Sequence, residues 1–183
     1  MAHRRERTVI LAALFIALSV ALGFLLAGIP NVELMTLTVF MAGIFCGARL
    51  GGAIGALSSL LFSLLNQFGP APAPLLAAQV AGFVLIGSVG GLIGPHLAPA
   101  RASSVAASAA AGFALTFVYD VLTTVATAFV ALGASGFIEG LGGIAVAGIG
   151  FAAVHVGVNT ALFAVAVPPL MKAVRAWQGG EAS

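Results

Sequence analysis

The chain has 183 residues, 61% of them hydrophobic and 7% charged, with a mean hydropathy of +1.19. A water-soluble domain carries about 25% charged residues, so composition excludes that class and fits one membrane-embedded, all-α domain over 1–183. The formal charge of +2 comes from seven Lys and Arg scattered at helix ends, which points to membrane topology rather than to nucleic acid.

Six spans can be drawn. Arg4, Arg5 and Arg7 precede the first, 8–28. Its length exceeds the roughly 7–15-residue core of a signal peptide, so an uncleaved helix is expected. Ile29-Pro30-Asn31 stops it. The second span, 33–47, is short against the roughly 20 residues a bilayer requires. The third, 50–66, runs into Gln67-Phe68-Gly69-Pro70-Ala71-Pro72-Ala73-Pro74, which reads as non-helical. The fourth, 75–94, ends at Pro95, and the fifth covers 103–133. A Gly-rich turn over 134–143 leads to the sixth, 144–177, where Pro168-Pro169 is expected to kink or break the helix.

Charge placement orients these spans. With the N-terminus inside, Arg4, Arg5, Arg7, Arg49, Arg101, Lys172 and Arg175 all fall on the cytoplasmic side. The outer connections hold no Lys or Arg and border Glu33 and Glu139. The positive-inside rule therefore gives six transmembrane helices with both termini cytoplasmic, and Gln67 and Glu139 external.

Small residues repeat at helical spacing. Ala13, Ala17 and Ala21 stripe the first helix; Gly43, Gly47, Gly51 and Gly55 recur through the next two; Gly82, Gly87, Gly90, Gly91 and Gly94 crowd the fourth. The glycines read as close packing within the bundle. Cys46 has no disulfide or metal-ligand partner pattern and reads as packing. Neither metal nor cofactor is expected.

Polar residues concentrate in two places. Thr116, Tyr119, Asp120, Thr123 and Thr127 share one face of the fifth helix, and Asp120 is its single charge. A charge at the centre of a membrane helix costs roughly 2.5–3.5 kcal/mol on the insertion scale, so this face turns towards protein or water. His155 and Asn159 form a matching face on the sixth helix. About a hairpin centre between Phe137 and Ile138, Asp120 mirrors His155 and Thr116 mirrors Asn159. The Asp–His pair reads either as a clasp between two helices or as the lining of a pocket or proton path. Asn31 and Glu33, Asn66 and Gln67, and Gln79 gather at the outer ends of helices, where Glu33 also suits a helix cap. This asymmetry describes an outward-open pocket above a featureless, basic inner face.

With both ends inside and six helices, the sequence resembles the S-components of energy-coupling factor (ECF) transporters. The resemblance covers about 8–172. It rests on that topology, the stripe Ala13-Ala17-Ala21, and the stretches Pro30-Asn31-Val32-Glu33-Leu34-Met35-Thr36 and Ser63-Leu64-Leu65-Asn66-Gln67-Phe68-Gly69-Pro70, with the pair Tyr119-Asp120. It implies a non-enzymatic protein of the prokaryotic cell membrane that binds a vitamin or related micronutrient from outside. It also implies a transmembrane coupling subunit, docked on the alanine stripe, and two ATPase subunits. The candidate binding residues are Asn31, Glu33, Asn66, Gln67, Gln79, Tyr119, Asp120, Thr123, His155 and Asn159. No basic residue joins them, which disfavours strongly acidic substrates. Two alternatives stand beside this reading. A solitary proton-coupled carrier would be built on internal repeats, which are not evident. An intramembrane enzyme using Asp120 and His155 would lack an accompanying nucleophile or metal motif.

Overall fold

Glycine and proline positions punctuate an otherwise continuous apolar chain, and the helices fall between them. The computed structural model describes residues 2–66, 69–97 and 102–179. Its helices are α1 (Ala2–Leu26), α2 (Met35–Cys46), α3 (Ala48–Leu64) and α4 (Ala73–Ile93), the last continued by a 3-10 turn, Gly94–His96. A final helical element covers Ala102–Gly179. It is two helices meeting at Gly133, whose φ of 65° and ψ of 177° lie outside helical space. Positive φ suits glycine because there is no Cβ to clash. We label the two arms α5 (102–132) and α6 (134–179). No strand occurs among the described residues.

Three expectations about boundaries change. The Gly-rich 134–143 segment is helical rather than a turn, and one residue, Gly133, carries the break. Pro168 and Pro169 lie inside α6 without non-helical backbone. Ala73 and Pro74 belong to the first turn of α4, where the missing proline N–H has no helical partner to lose. Arg101 and Gln67 lie outside the described residues.

The short α2 forms the centre. Met35 to Gly43 are all buried, and Val39, Phe40 and Ala42 are fully so. Around it lie α1, α3, α4 and the final element. Phe40 meets Phe163 of α6 with ring centroids 4.8 Å apart, and Phe83, Ile86, Leu115 and Val167 complete the core. A glycine seam lets these helices approach so closely. A methyl added at Gly43 would overlap the Gly87 carbonyl, and one at Gly87 would overlap the Gly51 carbonyl. The glycine repeats thus serve internal packing, as their spacing suggests.

Three segments, Glu6–Leu26, Ala73–His96 and Ala102–Ala173, are long and apolar enough to cross a membrane. At 12 residues, α2 is only ~18 Å long, well short of a hydrocarbon core of about 30 Å. The exterior is apolar: Val9, Leu14, Leu18, Phe113, Phe117, Val146 and Phe151 are all exposed. A surface of this character suits lipid or protein contact rather than water.

Candidate functional site

A cavity of about 350 Å³ lies beneath the α1–α2 connection and between α1, α3, α4 and the α5–α6 pair. The connection is built by local turn chemistry. Ile29 N–H donates to Leu26 O at 2.9 Å and Val32 N–H to Ile29 O at 3.3 Å. Asn31 takes a φ of 59°, a left-handed conformation that Asn tolerates better than most residues. The chain turns back there and delivers Glu33 to the cavity.

Glu33 divides its two oxygens between tasks. Oε2 accepts the Thr36 backbone N–H at 2.8 Å, capping the first turn of α2. Oε1 accepts from Asn159 Nδ2 at 3.2 Å and lies 3.5 Å from His155 Nε2. Burial alone would raise this carboxyl's pKa; the close contacts with His155 and Thr36 outweigh it and hold the group below its ordinary value.

His155 stands between two carboxylates. Its Nδ1 is 2.7 Å from Asp120 Oδ1, a hydrogen bond in which Nδ1 is the donor whenever the carboxylate is ionised. At 3.5 Å, the Nε2 contact with Glu33 is too long for a good hydrogen bond and becomes an ion pair when the imidazole is charged. The mirrored pairing of α5 and α6 therefore does bring Asp120 and His155 together, although the backbone breaks at Gly133 rather than near 137. Thr116 and Asn159, the second mirrored pair, are both buried, and neither Thr116 Oγ1 nor Asn159 Oδ1 has a partner.

Tyr119 adds an aromatic wall. Its ring stands edge-on to Phe83 at 5.3 Å and to His155 at 6.0 Å. Across the cavity, Ser63 Oγ donates to Gln79 Oε1 at 2.7 Å and joins α3 to α4. Ser59, one turn before Ser63, also lines the cavity; it is 1% exposed and its Oγ has no partner.

Of the ten expected site residues, the cavity lining includes Asn31, Glu33, Gln79, Tyr119, Asp120, Thr123 and His155. Asn159 sits behind the lining and reaches it through Glu33. Asn66 is outside the lining, and Gln67 lies outside the described residues. Thr127, at the end of the α5 polar stripe, is exposed. Sequence reasoning missed Thr36, Ser59, Phe62, Ser63 and Phe83, all in the lining. Ser59 and Ser63, four apart in an apolar helix, carried the signal.

No family model, curated protein or solved structure matches this chain.

Chemically, the lining combines hydrogen-bonding side chains with Phe62, Phe83 and Tyr119. Its volume falls at the lower end of the roughly 300–1,000 Å³ typical of small-molecule sites. A second surface lies elsewhere on α1. Ala13, Ala17 and Ala21 are exposed and form a shallow apolar groove with Ile16, Val20, Leu61 and Leu65.

Proposed function

We propose that this protein is the substrate-binding membrane subunit, the S-component, of an ECF-type transporter in a prokaryotic cell membrane. It crosses the membrane six times with both termini cytoplasmic, binds a vitamin-sized micronutrient from outside, and passes it to a coupling subunit driven by two ATPases. The observation that carries this reading is the polar cavity roofed by the α1–α2 connection, whose floor joins Glu33, His155 and Asp120. The exposed alanine groove on α1 supports the coupling half, since small side chains allow close approach of a partner helix. On this reading the protein is not an enzyme; the acid–base groups hold substrate. Native mass spectrometry of the detergent-purified protein tests it: a small molecule should be retained, and ATPase and coupling subunits should co-purify from the native host. Finding no such subunits would overturn the assignment.

One arrangement favours a second reading. An imidazole flanked by two carboxylates is suited to relay a proton, as a solitary proton-coupled carrier would require. Proteoliposomes containing only this chain decide between them. Uptake driven by a proton gradient, abolished in Asp120→Asn while binding persists, supports the carrier.

A further inference from the structure

Three titratable groups dominate the cavity, and their charges do not cancel. Glu33 and Asp120 contribute two carboxylates and His155 one imidazole; among the described residues, no Lys or Arg is in the lining. With the carboxylates ionised, the lining carries one net negative charge when His155 is protonated and two when it is neutral. Tyr119 is the remaining titratable residue in the lining, and it adds no positive charge in either form.

Of two unpartnered atoms in the lining, the carboxylate oxygen shares this bias, while the serine hydroxyl can donate or accept. Ser59 is 1% exposed, lines the cavity and has no partner for Oγ. Asp120 uses Oδ1 for His155, while its Oδ2 has no partner. A buried polar atom without a partner is costly, so a ligand that hydrogen-bonds to these two oxygens is favoured, and at Asp120 Oδ2 it must be a donor. Beside them stand the faces and edges of Phe62, Phe83 and Tyr119. Aromatic rings attract cations as well as flat apolar groups.

We propose that the cavity takes a small organic cation, a protonated amine or charged nitrogen heterocycle, with its positive end facing the Glu33–His155–Asp120 row and its ring against Phe83 and Tyr119. The proposal rests on the substrate-binding reading and narrows it to a class of substrate. Ser59 Oγ accepts an N–H from this ligand where one is present. An anionic ligand would meet two carboxylates, with the His155 imidazole already engaged by both of them. A bare metal ion is disfavoured by geometry: both ring nitrogens of His155 face carboxylate oxygens, and no metal-holding group of three occurs among the described residues.

The test uses the full-length, detergent-purified chain and three ring-matched pools: benzylamine, 4-(aminomethyl)pyridine and N-methylpyridinium; their neutral benzyl and pyridyl alcohols; and the corresponding carboxylates. Native mass spectrometry and titration calorimetry should find compounds retained from the first pool and none of comparable affinity from the other two. Asp120→Asn should weaken amine binding tenfold or more. Ser59→Ala, which leaves every charge in place, should weaken the amines about threefold to tenfold and leave N-methylpyridinium unchanged, since that cation has no N–H to donate. If Asp120→Asn fails to fold, the pools and Ser59→Ala still decide. Neutral or anionic compounds binding as well as the cations would overturn the charge proposal while leaving the cavity a binding site. Retention from no pool would overturn both.

Discussion

Asn159 Nδ2 donates to Glu33 Oε1 at 3.2 Å, joining residues 126 apart in the chain. One hydrogen bond thereby fastens the α1–α2 connection to α6 at the edge of the cavity. Asn159 is fully buried, so Asn159→Ala removes a donor from Glu33 and leaves a gap behind it. The expected loss is about 1–3 kcal/mol of stability, read as a lowered midpoint in thermal unfolding in detergent. Combined with Glu33→Ala, the double variant should lose less than the sum of the two singles, because the residues share one contact.

Acid should act through the same carboxyl. Although burial opposes it, contacts with His155 and Thr36 hold Glu33 below its ordinary value of 4.5. A group with a depressed folded pKa stabilises fully above its unfolded pKa, and that contribution fades as pH falls through the folded value. Stability should therefore hold from neutral pH to about 4.5 and decline below it. In Glu33→Gln this part of the decline should disappear from the pH profile. An unchanged acid limb in Glu33→Gln would show that other groups govern it.

The glycines should divide sharply by location. Gly87→Ala drives a methyl into the Gly51 backbone, where no flexible side chain can give way. Overpacking of this kind costs typically ~1–3 kcal/mol, and Gly87→Leu should prevent assembly altogether. Gly150, exposed on α6, has nothing within 4 Å of an added methyl. Gly150→Ala should therefore stabilise by about 0.5–1 kcal/mol through helix propensity. Thermal midpoints of the three variants suffice.

Much of this architecture was legible in the residues, and the reasons are local. Proline and glycine at Pro30, Gly47 and Pro95 mark helix ends because their backbone limits act within a few residues. The meeting of Asp120 with His155 could be read from hairpin symmetry and the high cost of an isolated buried charge. What could not be read depends on tertiary packing. The helical state of 134–143 and the unbroken passage through Pro168-Pro169 run against local propensity. Ser59 and Ser63 share a helix face by their spacing, but that this face lines a cavity depends on how α3 packs against α4. Asn66, by contrast, was placed in the site on its position near Gln67, and the end of α3 carries it outside the lining.

The alanine groove offers a separable test of coupling. Ala17 is exposed, so Ala17→Trp has little to collide with inside the isolated protein. Its thermal midpoint and ligand affinity should match the parent, while uptake in cells holding the coupling subunits should fall to background. Parallel loss of binding and uptake would make the groove part of the internal packing instead.

Topology can be read chemically. On a Cys46→Ala background, single cysteines at Arg49 and Glu139, both exposed, should differ towards an impermeant maleimide added outside. Position 139 should label and position 49 should label only after lysis. The reverse pattern would invert the orientation.

The central helix also bears on how the polypeptide reaches its membrane. No residue of α2 is exposed, and its neighbours α3 and α4 are synthesised after it. A nascent segment of 12 residues is too short to act as an independent stop-transfer signal and gains its burial only when those later helices exist. In the proposed membrane placement, α2 is therefore expected to wait beside the insertion machinery until α4 has left the ribosome. Stalled chains long enough to expose α2 but not α4 should crosslink through α2 to the translocon, and chains that also expose α4 should not.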